Sequence, residues 1–264
     1  MGRIAYIAAM IAVLCSCTKE IDIDYHEIDA IPVIEGHLSM DSATVKITTT
    51  RNMEDSVKTA GKRVDDVRIV GPDGRATLLD YCSDGTYRPV EKITPAEGET
   101  YQLQVTIDGV VYSGSSTLMP RIEITEPQFL WVNFMDWMQV MEFETTNVPM
   151  GSEVYGWVRI HRNGEIYFSD AGRCKGDSPF DIGLYYDSDM GNDEEMILYN
   201  GDKLRLEVRT IDENVYYYLA EYNNTKKNPK QFFTPSVDGK VCLGFFAVYD
   251  RVVIDMVYEK TAHE

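Results

Sequence analysis

Two groups of side chains carry atoms suited to binding chemistry. The first is an oxygen-rich run near residue 190, whose spaced carboxylates belong to Asp187, Asp189, Asp193 and Glu195. Hard cations such as calcium prefer oxygen ligands, so this run is a candidate calcium site, and no other cofactor is indicated. The run departs from the EF-hand pattern, because Gly191 stands where the third ligand is expected. A solvated acidic loop is the alternative interpretation.

The second group is aromatic and cationic. Alternation in residues 153–161 places Tyr155, Trp157 and Arg159 on one face of a predicted strand, with Val154, Val158 and Ile160 on the other. Exposed aromatic rings can contact sugars or partner surfaces, so Tyr155, Trp157 and Arg159 are candidate residues for binding a glycan or peptide ligand. Packing of the same side chains into a core is the alternative.

The sequence contains no recognisable catalytic constellation. Its four histidines, His26, His37, His161 and His263, form no H-E-x-x-H pair, and neither a G-x-S-x-G elbow nor a phosphate-binding glycine loop occurs. We therefore predict no catalytic residues and a protein that is not an enzyme. A hydrolase that uses only carboxylates is the alternative, because paired Asp and Glu side chains can cleave glycosides without histidine.

Charge and cysteine spacing exclude two further classes. The chain has 25 basic and 43 acidic residues and a formal net charge of -18, which disfavours nucleic acid as a partner. Cys82, Cys174 and Cys242 lie too far apart for a zinc knuckle. Their disulfide pairing is open, and we expect most of them to be buried thiols.

The first residues indicate where the protein is located. A short basic start and an apolar run over residues 4–14 predict a signal peptide over residues 1–16, too short to span a bilayer. The run ends in a segment that resembles the bacterial lipobox, so Cys17 is the predicted lipidation site and holds the protein on a membrane. An ordinary cleaved signal is the alternative. Residues 17–30 form an acidic tether that is similar to the surface-export signals of Bacteroidetes lipoproteins, which predicts the outer membrane and the cell exterior.

The body of the chain alternates with period two and is punctuated by Asp-Gly and Asn-Gly pairs, which predicts a mostly β protein. We expect an immunoglobulin-like β-sandwich over residues 31–120. A second β-sandwich or barrel-like domain with one α-helix is expected over residues 121–264. Within it, the helix begins after Asp212, a loop covers residues 175–195, and two strands lie between residues 241 and 257.

Short segments spread over most of the chain resemble one known family. They are residues 31–36, 67–69, 72–74, 85–87, 98–103, 216–218, 237–239 and 243–246. The series is similar to the Bacteroidetes outer-membrane lipoproteins catalogued as domain of unknown function four-two-four-nine. The C-terminal half is shorter than that family's usual length, and Cys242 replaces a small polar residue. The resemblance implies an immunoglobulin-like or carboxypeptidase-regulatory-like first domain and association with a TonB-dependent receptor, but no catalytic residues.

These features predict a surface-exposed, non-enzymatic lipoprotein that binds a ligand or serves as an accessory component of a TonB-dependent uptake system. Tandem sandwiches behind a lipobox also resemble fimbrial or adhesin-type subunits, which need a proteolytic cut such as one at Lys62-Arg63. A carboxylate-based carbohydrate-active enzyme is the other alternative.

Overall fold

The computed structural model describes residues 30–51, 61–132, 135–176, 180–185, 197–224 and 231–259. Fifteen strands and one helix are found in these residues, which confirms a mostly β fold. The one helix among the described residues is not long and apolar enough to cross a membrane.

The first sandwich contains seven strands in chain order. They are β1 (Pro32–Ser39), β2 (Ala43–Thr49), β3 (Asp66–Val70), β4 (Ala76–Ser83), β5 (Thr86–Pro89), β6 (Thr100–Ile107) and β7 (Val110–Thr117). The strand order β1-β2-β5-β4 on one side and β3-β6-β7 on the other is that of an immunoglobulin constant-type sandwich, with β4 pairing to both sides. Alternate residues such as Ile34, Leu103 and Val105 fill its core. The predicted immunoglobulin-like sandwich is therefore confirmed.

The β6–β7 hairpin shows how local sequence fixes the register. Asp108 and Gly109 adopt positive φ angles of 51° and 77°, the geometry of a tight hairpin turn that matches strand twist. Thr100–Ile107 then pairs with Val110–Thr117 residue by residue, and Tyr101, Leu103, Val105 and Ile107 all point into the core.

The second sandwich packs a four-stranded sheet on a three-stranded one. Its strands are β8 (Gln128–Val132), β9 (Met135–Phe143), β10 (Glu153–Arg162), β11 (Glu165–Lys175), β12 (Phe180–Tyr185), β13 (Lys203–Ile211) and the second half of β15 (Leu243–Val257). The orders are β11-β10-β13-β15 and β12-β9-β8. Met141 and Phe143 from one sheet meet Val158, Leu206 and Val208 from the other. The prediction of a second β-sandwich with one helix is confirmed in this part of the chain.

Strand β15 is one continuous strand and not two, so the sequence prediction was wrong there. Its first half runs parallel to β1, from Val33 beside Leu243 to Ser39 beside Tyr249, and its second half runs antiparallel to β13. Gly244 makes the first pairing fit, because a Cβ atom there would lie 1.9 Å from the carbonyl oxygen of Ile34. Asp250 and Arg251 lie at the point where the strand passes from one sandwich to the other.

The boundary predicted at residue 120 stays a prediction. Strand pairing nevertheless extends the first sandwich with later parts of the chain, since β14 (Thr234–Pro235) pairs with β7 and the first half of β15 pairs with β1. A hydrogen bond of 2.9 Å from the backbone amide of Val248 to Ser116 Oγ adds a further link across that point of the sequence. The two sandwiches therefore share a strand.

The loop expected over residues 175–195 is also corrected, because β12 forms within it and pairs with β9. Phe180, Ile182 and Leu184 do alternate in the sequence, but so short a pattern among Gly, Asp and Ser residues did not predict a strand. Cys82, Cys174 and Cys242 are all free thiols. Cys174 and Cys242 are buried, as expected for most of them, and burial raises the pKa of each thiol to about 12.

Helix α1 (Glu213–Asn224) begins after Asp212, as predicted. The Asp212 carboxylate accepts hydrogen bonds of 2.9 and 3.1 Å from the amides of Asn214 and Val215, which caps the helix. The same carboxylate accepts from Ser116 Oγ and from the Thr117 amide on β7. The helix is thereby fixed against the first sandwich at its N-terminal end.

Candidate functional site

The four-stranded sheet of the second sandwich has two unlike faces. Every second residue of β13, Leu204, Leu206 and Val208, is buried in the core between the sheets. The residues between them point to the opposite side, together with alternate residues of β10 and β15. We call this opposite side the basic face, and it consists of Arg159, His161, Lys203, Arg205, Glu207, Arg209, Arg251 and Asp255.

Glu207 lies at the centre of the basic face and is buried. Arg209 donates to its carboxylate at 2.7 Å and Arg251 at 3.2 Å. Burial alone would raise the pKa of Glu207, but Arg209 and Arg251 hold it below its usual range. Arg251 also contacts the exposed carboxylate of Asp41 at 3.1 Å. The carboxylate of Glu207 is therefore ionised and fully engaged.

The guanidinium groups of Arg159 and Arg209 both lie against the Trp157 ring. Their central carbons are 5.4 and 4.7 Å from the ring centroid, and Arg209 is also 4.7 Å from the ring of Tyr249. Burial, followed by the charge of Arg209, lowers the pKa of Arg159. Two like charges are thus held close together, and arginine keeps its charge under such conditions.

Two histidines flank this cluster. The His37 ring on β1 stacks on Trp157 with centroids 5.8 Å apart, and burial together with Arg209 and Arg159 lowers its pKa to about 3. Burial also lowers the pKa of His161. Both imidazoles are therefore neutral at neutral pH and offer one donor and one acceptor each.

Buried polar atoms without a hydrogen-bond partner concentrate here. Within the described part of the chain they are Nδ1 of His37, Nε of Arg159, Nε2 of His161 and Nη1 of Arg209. All four belong to the basic face or to His37, which contacts it through Trp157. Native proteins leave few such atoms unsatisfied, so their convergence distinguishes this face from the rest of the described surface.

A cavity of about 770 Å³ opens at the end of the basic face. Its lining includes His161, Lys203, Arg205, Asp255 and Val257. Arg205 forms a two-pronged ion pair with Asp255, at 2.7 and 3.0 Å. The volume lies within the range of sites for small molecules.

The three residues predicted to bind a ligand lie on one sheet face but in different surroundings. Tyr155 stacks on Tyr216 of α1 with ring centroids 4.6 Å apart and donates a hydrogen bond of 3.2 Å to Glu213. Trp157 is 8% exposed beneath the helix, where it packs with Phe245 and Val215. Arg159 is partly open, as Tyr155 is, and belongs to the basic face. A ligand-binding role for the three remains a prediction.

The predicted calcium ligands Asp187, Asp189, Asp193 and Glu195 lie outside the described residues, as do Cys17 and residues 17–29 of the acidic tether. In the ranges that the structure describes, no cluster of three or more His, Cys, Asp or Glu side chains is arranged to hold a metal ion.

Sequence reasoning missed Glu207, Arg209, Arg251 and His37. The alternation of Arg205, Glu207 and Arg209 within one strand was a usable signal, because charged residues at every second position must share a face. Their burial could not be read in this way, since it depends on β15 and β1, which come from distant parts of the chain.

A second cavity of about 790 Å³ lies between α1, β7 and β14. Its lining includes Gln102, Ser113, Tyr217, Gln231 and Phe232. None of the unpartnered buried atoms of the described residues belongs to it. The basic face is therefore the better candidate for a functional site.

Comparison with known proteins does not assign the chain to a family. No protein-family model matches the chain, and no curated protein matches it. Among solved structures, the FN1-FN3 domains of chicken CNTN1 are 10% identical, with 87% of this chain and 67% of that chain covered and a TM-score of 0.25. A segment of two fibronectin type-III domains from chicken tenascin is 11% identical, with 88% and 100% covered and a TM-score of 0.24. The architecture described above rests on its own strand pairing.

Proposed function

We propose that the protein is a non-enzymatic binding protein, held by lipid at Cys17 on the outer membrane and facing the cell exterior. In this proposal it serves as an accessory component of a TonB-dependent uptake system. The observation that carries the binding role is Arg159, a partly buried cation that forms no ion pair within 4.0 Å among the described residues, because Glu207 opposite it is already paired with Arg209 and Arg251. It lies on the same face as an open cavity of about 770 Å³.

The position of the basic face supports this role. Its side chains project from β10, β13 and β15, which are paired along their lengths and rest on a closely packed core. Binding groups on such strands are held more precisely than groups on loops. The face also concentrates cations on a chain whose net charge is -18.

The carboxylates of the basic face favour binding over hydrolysis. Glycoside cleavage by two carboxyl groups requires one of them to be protonated and to act as an acid. Hydrogen bonding with Arg205 lowers the pKa of Asp255, and the pKa of Glu207 is lowered as well. Neither group is set up as a proton donor, which argues against the carbohydrate-active alternative at this face.

The strand order argues against the fimbrial alternative. β1 and β2 are interior strands of the sheet, because β15 pairs with one side of β1 and β5 pairs with β2. A cut at Lys62-Arg63 would have to release both strands to open a groove for a donor strand. Lys62 is itself held by its amide, which donates to Ile47 at 2.8 Å, and by its Nζ atom 2.8 Å from Asp108.

The test is recovery of the tagged full chain from a Bacteroidetes host. Cells are first treated with external protease, and untreated membranes are then solubilised in mild detergent and purified through the tag. We expect the body to be cleaved on intact cells and an outer-membrane receptor to co-purify repeatedly. The Cys17→Ser variant provides the matched control, because it should lose membrane attachment while the folded body is unchanged.

Protection of the body on intact cells would contradict the exterior location. Membrane attachment of Cys17→Ser equal to that of the original chain would contradict the lipid anchor. Repeated purification without any receptor would contradict the accessory role.

A further inference from the structure

Charge pairing on the basic face is incomplete at one residue. Arg209 is paired with Glu207, and Arg251 is shared between Glu207 and Asp41. Arg159 has no ion pair in the part of the chain that the structure describes, although Arg209 lies beside it on the same Trp157 ring. Glu207 lies opposite Arg159 on β13, and its charge partly offsets the lowering of the pKa of Arg159, but the same carboxylate is paired with Arg209 and Arg251. One buried carboxylate thus faces three guanidinium groups, which leaves an excess of positive charge that an anion would offset.

Polar atoms without a hydrogen-bond partner lie in the same place. Nη1 of Arg209 belongs to a side chain that is only 5% exposed, and it has no partner among the described residues. Nε of Arg159 and Nδ1 of His37 are in the same condition. The three side chains all contact one Trp157 ring, so their unsatisfied atoms are confined to the neighbourhood of that ring.

We infer that the Arg159 and Arg209 side chains beside Trp157 bind an oxyanion, which is the carboxylate, sulfate or phosphate group of a ligand. This inference rests on the proposed binding function and names the chemical class of its ligand. The guanidinium group presents a rigid fork of N–H donors that fits the oxygens of all three anions. The neutral His37 and His161 can complete the contacts without adding charge.

The neighbouring cavity provides room for the rest of such a ligand. Arg159 and His161 are two positions apart on β10 and share a face, and His161 lines the cavity of about 770 Å³. Lys203 and Arg205 provide that cavity with two cations, and Val257 provides an apolar wall. A small organic anion with a polar body therefore fits better than an inorganic ion alone.

The experiment measures binding of sulfate, phosphate and acetate to the full chain by isothermal titration, with chloride at matched ionic strength. Sulfate and phosphate stabilise most proteins without binding, so each anion is compared between the original chain and its variants. We expect Arg159→Gln to weaken the best-bound anion by about tenfold or more, since one charge-assisted hydrogen bond is lost. Arg159→Lys keeps the charge without the fork and should fall between the two.

Arg88→Gln is the matched control, because it removes one exposed positive charge from β5 in the first sandwich. Circular dichroism without added anion confirms that each variant is folded. Equal binding of every anion by the original chain and Arg159→Gln, or no binding by either, would overturn the inference. If a receptor still co-purifies with the original chain in that case, the proposed function stands and only its ligand class is wrong.

Discussion

The two faces of the β10–β13–β15 sheet use the same strands for opposite purposes. On one face, Leu204, Leu206 and Val208 are buried against Met141 and Phe143. On the other, the intervening residues are charged, and Glu207 and Arg209 are buried as a hydrogen-bonded pair. The apolar face gains stability from burial, whereas buried charges contribute little net stability and cost much when one partner is lost. A sheet that keeps such charges is therefore a candidate for binding and not only for packing.

The largest effect should come from removing the central charge of the basic face. Glu207→Gln leaves Arg209 buried without a carboxylate, and we expect a loss of about 3–5 kcal/mol in the free energy of unfolding. Urea denaturation at pH 7.5 measures it. The control is Glu165→Gln, an exposed residue of β11, which should leave the unfolding free energy unchanged. An unfolding free energy unaffected by Glu207→Gln would mean that the buried pair is not formed.

The apolar face should respond somewhat less to a single truncation. Leu206 is fully buried, and Leu206→Ala removes methyl groups and leaves a cavity, which should cost about 3 kcal/mol. Leu78→Ala on β4 is the matched control, because Leu78 is 59% exposed. The same denaturation experiment compares both variants. If the two substitutions cost the same, the face of β13 that carries Leu206 is not a core.

A smaller effect is expected from a change of pH, through His37, which stacks on Trp157 beside the basic face. The folded-state pKa of His37 is about 3, so between that value and the ordinary 6.5 the unfolded chain binds the extra proton. Stability is therefore lost as pH falls below 6.5, by about 2 kcal/mol on reaching pH 5. His37→Phe keeps a ring packed on Trp157 but cannot take up a proton. Its free energy of unfolding should therefore fall by about 2 kcal/mol less than that of the original chain between pH 7.5 and 5. Identical losses in both proteins, measured by urea denaturation, would contradict a buried neutral His37.

Local pattern predicted the strands well and the long-range pairing poorly. Alternation together with Asp108-Gly109 was sufficient for the β6–β7 hairpin, because the turn and the strands are adjacent in sequence. β15 was divided in error, since a strand shared by two sandwiches changes its pattern of burial halfway along. Its parallel pairing with β1 joins residues about two hundred positions apart, which no local pattern can indicate.

The candidate site was predicted only in part for a similar reason. Alternation placed Tyr155, Trp157 and Arg159 on one face, and this is where the structure has them. The division among them follows from α1, which covers Trp157 and contacts Tyr155. The arginine and glutamate of the neighbouring strand became visible only when β13 was placed beside β10.

The smallest effect should come from the exposed charges of the same face. Arg205 and Asp255 form a well-aligned pair, but their side chains are 53% and 64% exposed. Water screens such a pair, so Arg205→Gln should leave the free energy of unfolding unchanged within experimental error in urea denaturation. If Arg205→Gln lowered the free energy of unfolding as much as Glu207→Gln, then location on the basic face, and not burial, would determine how much a charge contributes to stability. No change with Arg205→Gln beside a large loss with Glu207→Gln would instead show that removal from water sets the energetic effect of a charge. The same removal from water favours binding of an anion at Arg159, whose opposite carboxylate, Glu207, is already shared with Arg209 and Arg251.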